Sequence, residues 1–360
     1  MSTAMIRTVV KACPTCSLPS DLCPFHGDHQ ADPVVQASDQ IAGALLDLDV
    51  AADDYLRWPW ATLDELYGGM APGTVHYVVG FSGSGKSTFI ASAIRRWAGE
   101  GRRVDVLPLE VHPAWFRTYL ACQELGIDPG IVRSGDFHRR EDAAEIRDRV
   151  KAELHRQFQA PFRDLVHVHS TTRITAQGFR AAVTAAVANQ ASVLVVDHVD
   201  HIGVDGDGGT PWQASLAVNN LALDLATDTG LVIVLMSQAN QEALRGSADH
   251  LAKYQPVREH HVLYGGHKRQ VATGMLGLYR PLLPAPPRGT PEHETWKKTL
   301  ADARAGLTAP TTALEPRVCG VSLMKSRNYG GREGQRVKLA WRAGQIVEHH
   351  ELPYTLRRVS

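Results

Sequence analysis

Residues 75–94 read VHYVVGFSGSGKSTFIASAI: an apolar run, the pattern G-x4-G-K-S from Gly80 to Ser87, then apolar residues at helical spacing. The first run predicts a buried strand and the last a helix, so the glycines fall on a strand-to-helix turn. Glycine at Gly80, Gly83 and Gly85 lets backbone N–H groups turn inward around phosphate oxygens, where a Cβ would obstruct them. The start of the helix adds partial positive charge. Lys86 supplies a point charge for the β and γ phosphates, and the Ser87 hydroxyl suits Mg²⁺. Gly80, Ser82, Gly83, Ser84, Gly85, Lys86, Ser87 and Thr88 are therefore the expected nucleotide contacts. The competing reading is a chance match in a glycine-containing loop.

Outward from this loop, RVDVLPL (103–109), LVHVHS (165–170), SVLVVDHV (192–199) and LVIVLMSQ (231–238) are apolar runs of strand length. Between them STFIASAIRRWAGE (87–100), PAWFRTYLACQELG (113–126) and ASLAVNNLALDLATDTG (214–230) carry helical apolar spacing and end near glycine. Alternation of such segments predicts an α/β fold with a mostly parallel central sheet flanked by helices. VCGVSLMKSRN, QRVKLAWRAG and QIVEHHE read as late strands. Residues 281–316 are proline-rich at both ends, with a short helix around Trp296, and read as a surface insertion.

Two acids end apolar runs where such sheets bind ligands. Asp197 closes SVLVVD and is the expected Mg²⁺ partner, with Asp200 as the alternative if the register differs. Glu110 closes VDVLPLE and is the expected group to orient or deprotonate an attacking water; a helix-capping or ion-paired glutamate is the plainer reading. Gln238, at the end of LVIVLMSQ, has an amide suited to sensing a terminal phosphate.

The chain has 44% hydrophobic and 21% charged residues, and 38 Lys plus Arg balance 38 Asp plus Glu. Nothing in the net charge collects polyanions, so any nucleic-acid contact must be local. No stretch approaches the roughly 18 apolar residues a membrane span needs, and MSTAMIRTVVKAC lacks a secretory run. The expectation is a cytoplasmic protein without membrane contact.

Near the N-terminus Cys13, Cys16, Cys23 and His26 form C-x2-C-x6-C-x2-H, with His29 as a substitute fourth ligand, a spacing suited to tetrahedral Zn²⁺. Metal ligation would be the main source of order in so small a segment; a reduced, unstructured tail is the alternative. Cys122 and Cys319 lie in apolar surroundings and read as core residues. The expected organisation is a zinc knuckle over 1–35, a linker helix over 36–57, and one large domain over 58–360.

The stretch from Trp58 to Phe89 resembles the entry to the ATPase core of DnaB-like replicative helicases and their RecA-like relatives. LPLEVHPAWFRTYLACQELGI, VLVVDHVDHIG, VIVLMSQANQEA and SLMKSRNYGGREGQRVKL follow in the order that family uses. The resemblance spans roughly residues 56–348 and implies a RecA-like P-loop NTPase core. It further implies Glu110 as catalytic glutamate, Asp197 as Mg²⁺ acid and Gln238 as γ-phosphate sensor, with Lys325 and Arg327 as paired basic fingers acting on a neighbouring subunit. An ATP-driven 5′–3′ helicase would follow, hexameric, gripping single-stranded DNA and meeting a primase or loader. In the loops that correspond to the family's DNA-gripping loops, Arg245, Lys253 and Arg258 are candidate phosphate contacts. The zinc cluster suggests the alternative of a RadA-like recombination ATPase that binds single-stranded DNA without unwinding.

Overall fold

The apolar runs pair as parallel strands because both faces of each can be buried beneath helices. The computed structural model describes residues 52–134, 137–171, 174–203, 210–240, 254–262, 265–304, 313–315, 317–327, 332–342 and 344–349. The elements below belong to one unit, Asp53–Ser360. Its strands are β1 Val75–Gly80, β2 Val104–Pro108, β3 Val166–Val168, β4 Ile174–Thr175, β5 Val193–Asp197, β6 Ile202–Gly203, β7 Val232–Gln238, β8 Gly274–Tyr279, β9 Val318–Ser326, β10 Arg336–Arg342 and β11 Gln345–Glu348. The longer helices are α1 Ala61–Tyr67, α2 Lys86–Gly99, α3 Pro113–Glu124, α4 Ala143–Gln157, α5 Ala176–Ala188, α6 Pro211–Thr229, α7 Gly265–Val271 and α8 Pro291–Arg304.

Nine strands form one sheet in the order β11-β10-β9-β8-β1-β7-β5-β2-β3. From β8 to β3 neighbours run parallel, whereas β9, β10 and β11 extend the sheet antiparallel. The sheet is therefore mostly parallel, as expected, with an antiparallel edge made by the late strands. Within the 281–316 stretch, α8 carries Trp296 and Leu282 bridges to Leu314.

One central strand, β8, gave no sequence signal. Its GMLGLY is short and holds two glycines, which weaken a strand pattern. The fold requires them: a Cβ at Gly274 would lie 2.0 Å from Tyr67 Oη, and one at Gly277 would meet Ser322 and Val257 within 2.8 Å. Of the segment expected as a linker helix over 36–57, the described end holds a 3-10 turn over Ala52–Asp54. Leu56 is extended and bridges to Met70, because it and Trp58 carry apolar surface that the core absorbs.

The core beneath α2 is aromatic. Trp58 lies 5.3 Å from Phe89 and 5.6 Å from Trp97, and Trp60 lies 4.6 Å from Phe89 between ring centroids. Trp60 Nε1 donates to the Ile346 carbonyl at 3.0 Å, so the entry segment is fastened to the far hairpin. Cys122 and Cys319 are buried, and burial pushes their thiols up to about 11 and 12, as suits unreactive core residues.

His76 on β1 is buried with both ring nitrogens engaged. Thr74 Oγ1 donates to the Ala71 carbonyl and so accepts from Nε2–H at 2.7 Å; Nδ1 then accepts from Tyr67 Oη at 2.5 Å. Burial lowers its pKa from 6.5 to about 3. The folded state thus holds the neutral ring, a contribution complete above pH 6.5 and lost as pH falls toward 3. His76→Gln is expected to show a shallower loss of unfolding free energy between these pH values than the parent, measured by urea titration. Identical acid dependence would contradict this.

Candidate functional site

Parallel pairing sends strand ends with matched register to one edge of the sheet, and four of the expected residues arrive there together. Gly80 on β1 stands opposite Gln238 on β7, and Pro108 on β2 opposite Asp197 on β5. The Asp197 carbonyl accepts from Leu109 N–H at 2.5 Å and Glu110 N–H at 2.9 Å, which fixes where Glu110 leaves the sheet.

The loop after β1 turns through left-handed backbone at Gly83 (φ 76°) and Gly85 (φ 95°), a region that favours glycine. A Cβ at Gly80 would lie 2.3 Å from Ser84 Oγ, and one at Gly85 would strike the Trp341 ring at 2.3 Å. Helix α2 begins at Lys86, and its first-turn N–H groups have no intrahelical acceptors. Lys86 Nζ donates back to the carbonyls of Gly80 at 2.8 Å and Phe81 at 3.3 Å. Burial lowers its pKa, while Glu110, Asp197 and Asp200 work in the opposite direction. Ser82 and Gly83 are exposed at the rim. Thr88 is the exception among the expected contacts: its hydroxyl lies 2.5 Å from Tyr119 Oη, so its side chain serves the packing of α2 on α3.

Ser87 Oγ donates to Asp197 Oδ2 at 3.4 Å, bringing together the two expected Mg²⁺ ligands. Asp197 is fully buried; burial raises its pKa, with Glu110 adding to the rise and His198, Lys86 and Ser87 opposing it. Its Oδ1 and the buried Ser84 Oγ have no hydrogen-bond partner. Orphaned oxygens beside a lysine and a glycine cradle suit a hydrated divalent cation and phosphate oxygens, so the residues present fit Mg²⁺ and a triphosphate.

His198 and Lys268 completed this region unannounced. Buried His198 sets Nε2 3.2 Å from Glu110 Oε2, and the DHVDH run around it was the available signal. Lys268 on α7 is fully buried, with Nζ 2.5 Å from Asp200 Oδ1 and 2.7 Å from Ser237 Oγ. Asp200 Oδ2 also accepts from Ser237 Oγ and the Gln238 N–H. Burial would raise the Asp200 pKa, but His198, Lys268 and the Gln238 amide outweigh it and hold the carboxylate well below its usual range. Asp200 is thus a structural anion under the end of β7, and Asp197 is the acid aimed at Ser87.

Lys325 and Arg327 lie elsewhere. Ser326 on β9 is level with Gly274 on β8, and Gly274 with His76 on β1, four residues before Gly80. That is about 13 Å along the strand, at the opposite end of the sheet. Their side chains donate to the carbonyls of Arg269 and Gln270 on α7. Arg258 is exposed in the segment after residue 253. Arg245, Lys253, Cys13, Cys16, Cys23 and His26 lie outside the described residues.

A family model described as the DnaB-like helicase C-terminal domain matches residues 57–254, more than half of the chain. The chain belongs to this family. Its solved structural relatives include one described as an ATPase domain, at 11% identity and a TM-score of 0.63, covering 88% of this chain and 99% of that one. A DnaB-like replicative helicase, whose structure is described together with its interactions with primase, matches at 12% identity and a TM-score of 0.63, covering 87% of this chain and 68% of that one. At such identities the likeness shows the fold, which is that of RecA-like helicase ATPase domains. No curated protein matches the sequence. Among the described residues of this DnaB-like chain, no helix is long and apolar enough to cross a membrane.

Removing one partner of a buried ion pair strands the other. Lys268→Ala is expected to lower unfolding free energy by about 3–5 kcal/mol in denaturant titrations; a change within error would mean the pair adds nothing.

Proposed function

We propose that this protein hydrolyses ATP at interfaces between identical subunits and uses the cycle to move along single-stranded DNA and unwind duplex in replication. Membership of the DnaB-like family supports a helicase-type ATPase. The observation that carries the intersubunit reading is the separation of Lys325 and Arg327 from the phosphate loop of their own chain. From the far end of the sheet, those cations meet a γ phosphate when a second copy packs its loop against β9. A closed ring, hexameric in this reading, satisfies every such interface in turn.

In this site Lys86 leaves the carbonyls of Gly80 and Phe81 to meet the β and γ phosphates, while the loop amides from Gly83 to Thr88 surround them. Ser87 and Asp197 would hold Mg²⁺, which when bound neutralises phosphate charge. Glu110, half-exposed at the rim, accepts a proton from water aligned with the γ phosphorus. Gln238 sits beside Gly80 and senses the γ phosphate. Its main chain shares Asp200 with Ser237 and Lys268, so a shift there bears on α7 and the fingers of β9. The neighbour's site receives Lys325 and Arg327, which stabilise charge on the transferred phosphoryl group.

DNA contact is assigned to Arg245, Lys253 and Arg258, with exposed Trp212 at the start of α6 available to stack on a base. Movement 5′ to 3′ and contact with a primase or loader belong to the same reading. The cysteine cluster Cys13, Cys16, Cys23 and His26 is proposed to hold a structural Zn²⁺ in a knuckle over 1–35, linked through 36–57 to the motor over 58–360, with 281–316 an insertion in it.

Lys86→Ala is expected to abolish phosphate release, and Glu110→Gln to retain nucleotide binding while turnover falls by at least about 100-fold, because proton transfer alone contributes about that much. Normal turnover in Glu110→Gln would remove that assignment. Mixed rings of Arg327→Ala and Lys86→Ala subunits are expected to regain hydrolysis that neither variant has alone. Verified mixed assembly with no recovery would refute fingers acting between chains. A forked-DNA displacement assay separates unwinding from the recombination-type alternative, in which DNA stimulates hydrolysis and no strand is displaced.

A further inference from the structure

At the edge of the sheet farthest from the β9 side, a second set of ligating side chains meets. His167 and His169 alternate along and just beyond β3 and so project to one face. Asp105 on β2 stands opposite His167 in the strand register. Asp105 Oδ1 is 2.9 Å from His167 Nδ1, 2.9 Å from His169 Nε2 and 3.1 Å from Asn189 Nδ2. One donor atom from each of Asp105, His167 and His169 lies within 4.8 Å of the others.

Hydrogen bonding alone accounts poorly for this arrangement. One carboxylate oxygen offers about two lone-pair sites, yet three nitrogens converge on it. His167 Nδ1 also lies 3.1 Å from Asn189 Nδ2, so it faces a donor and an acceptor at once, and neither tautomer satisfies both. A cation among the three donors relieves the crowding, since each imidazole nitrogen then presents a lone pair to the ion while Asn189 keeps its bond to Asp105.

We infer that Asp105, His167 and His169 form a binding site for a divalent transition-metal ion of the zinc class, clamping edge strand β3 to β2. Metal–nitrogen and metal–oxygen bonds of about 2.0–2.2 Å put tetrahedral ligand atoms about 3.3 Å apart, so each Asp105–imidazole pair needs only a small outward rotation from 2.9 Å. Two imidazoles and one carboxylate match borderline ions such as Zn²⁺ rather than Mg²⁺, which prefers oxygen ligands. Asn189 supplies the outer hydrogen bond that orients the carboxylate. Asp105 is buried, His169 nearly so, and His167 is 49% exposed. The cluster opens on a cavity of about 540 Å³ lined in part by Asp105, His167 and Asn189, which provides an entry path and room for water as fourth ligand. Arg163 beside this cavity is paired with Asp164 at 3.0 Å.

The test uses the full chain carrying Cys13→Ser, Cys16→Ser and Cys23→Ser, which removes the three thiolates of the other candidate zinc site. Equilibrium dialysis with Co²⁺ or Zn²⁺ is expected to give one ion per chain, with a cobalt spectrum free of thiolate charge transfer and a raised melting temperature. Adding His169→Gln or, at the half-exposed position, His167→Ala is expected to weaken binding at least about tenfold while circular dichroism stays unchanged. No uptake by the triple-serine chain would overturn the site. Equal affinity in the folded His167→Ala chain would do so too, as it would mark the binding as adventitious.

Discussion

The carbonyl oxygen of Asp197 accepts the N–H groups of both Leu109 and Glu110, and the chemistry of the molecule depends on that junction. It joins the ends of β2 and β5 at the level where β1 ends in the phosphate loop and β7 ends in Gln238. An acid aimed at Ser87 and an acid at the rim are therefore held by backbone, not by their own flexible side chains. Backbone placement of this kind is what lets a site act without reorganising.

The loop is equally constrained from behind. Helix α2 is buried along most of its surface, gripped by Trp58, Trp60 and Tyr67 on one side and by the β10–β11 hairpin on the other. Gln123 and Ser92 extend that grip by bonding Gly344 O and Ile346 N–H. A helix start so fixed presents its free amides at a constant position, and Trp341 against Gly85 sets the limit on the loop itself.

Beneath the end of β7 the buried Lys268–Asp200 pair takes the place of apolar packing. Such a pair gives little net stability but strongly disfavours other arrangements, because separating the charges inside the protein is costly. It connects the Gln238 main chain to α7, whose carbonyls receive Lys325 and Arg327, so the end of β7 and the end of β9 share one rigid support.

How much of this was legible follows from the range of each interaction. The sequence by itself determined the local chemistry: the glycine turn and Lys86 after β1, the strands ending at Asp197 and Gln238, Glu110 placed two residues beyond the end of β2, and the α/β alternation, because spacing along a chain records backbone period and turn preference. It did not disclose β8, whose glycines are demanded by Tyr67, Val257 and Ser322 far away in sequence. Nor did it pair Asp200 with Lys268, 68 positions later, or gather Asp105 with His167 and His169. Only the tertiary structure decided that the Thr88 hydroxyl belongs to Tyr119 and that Lys325 and Arg327 lie at the end of the sheet away from Gly80. The physical reason is common to all of these: sheet order and register set which side chains meet, and both arise from packing summed over the whole core, which no local stretch of residues encodes.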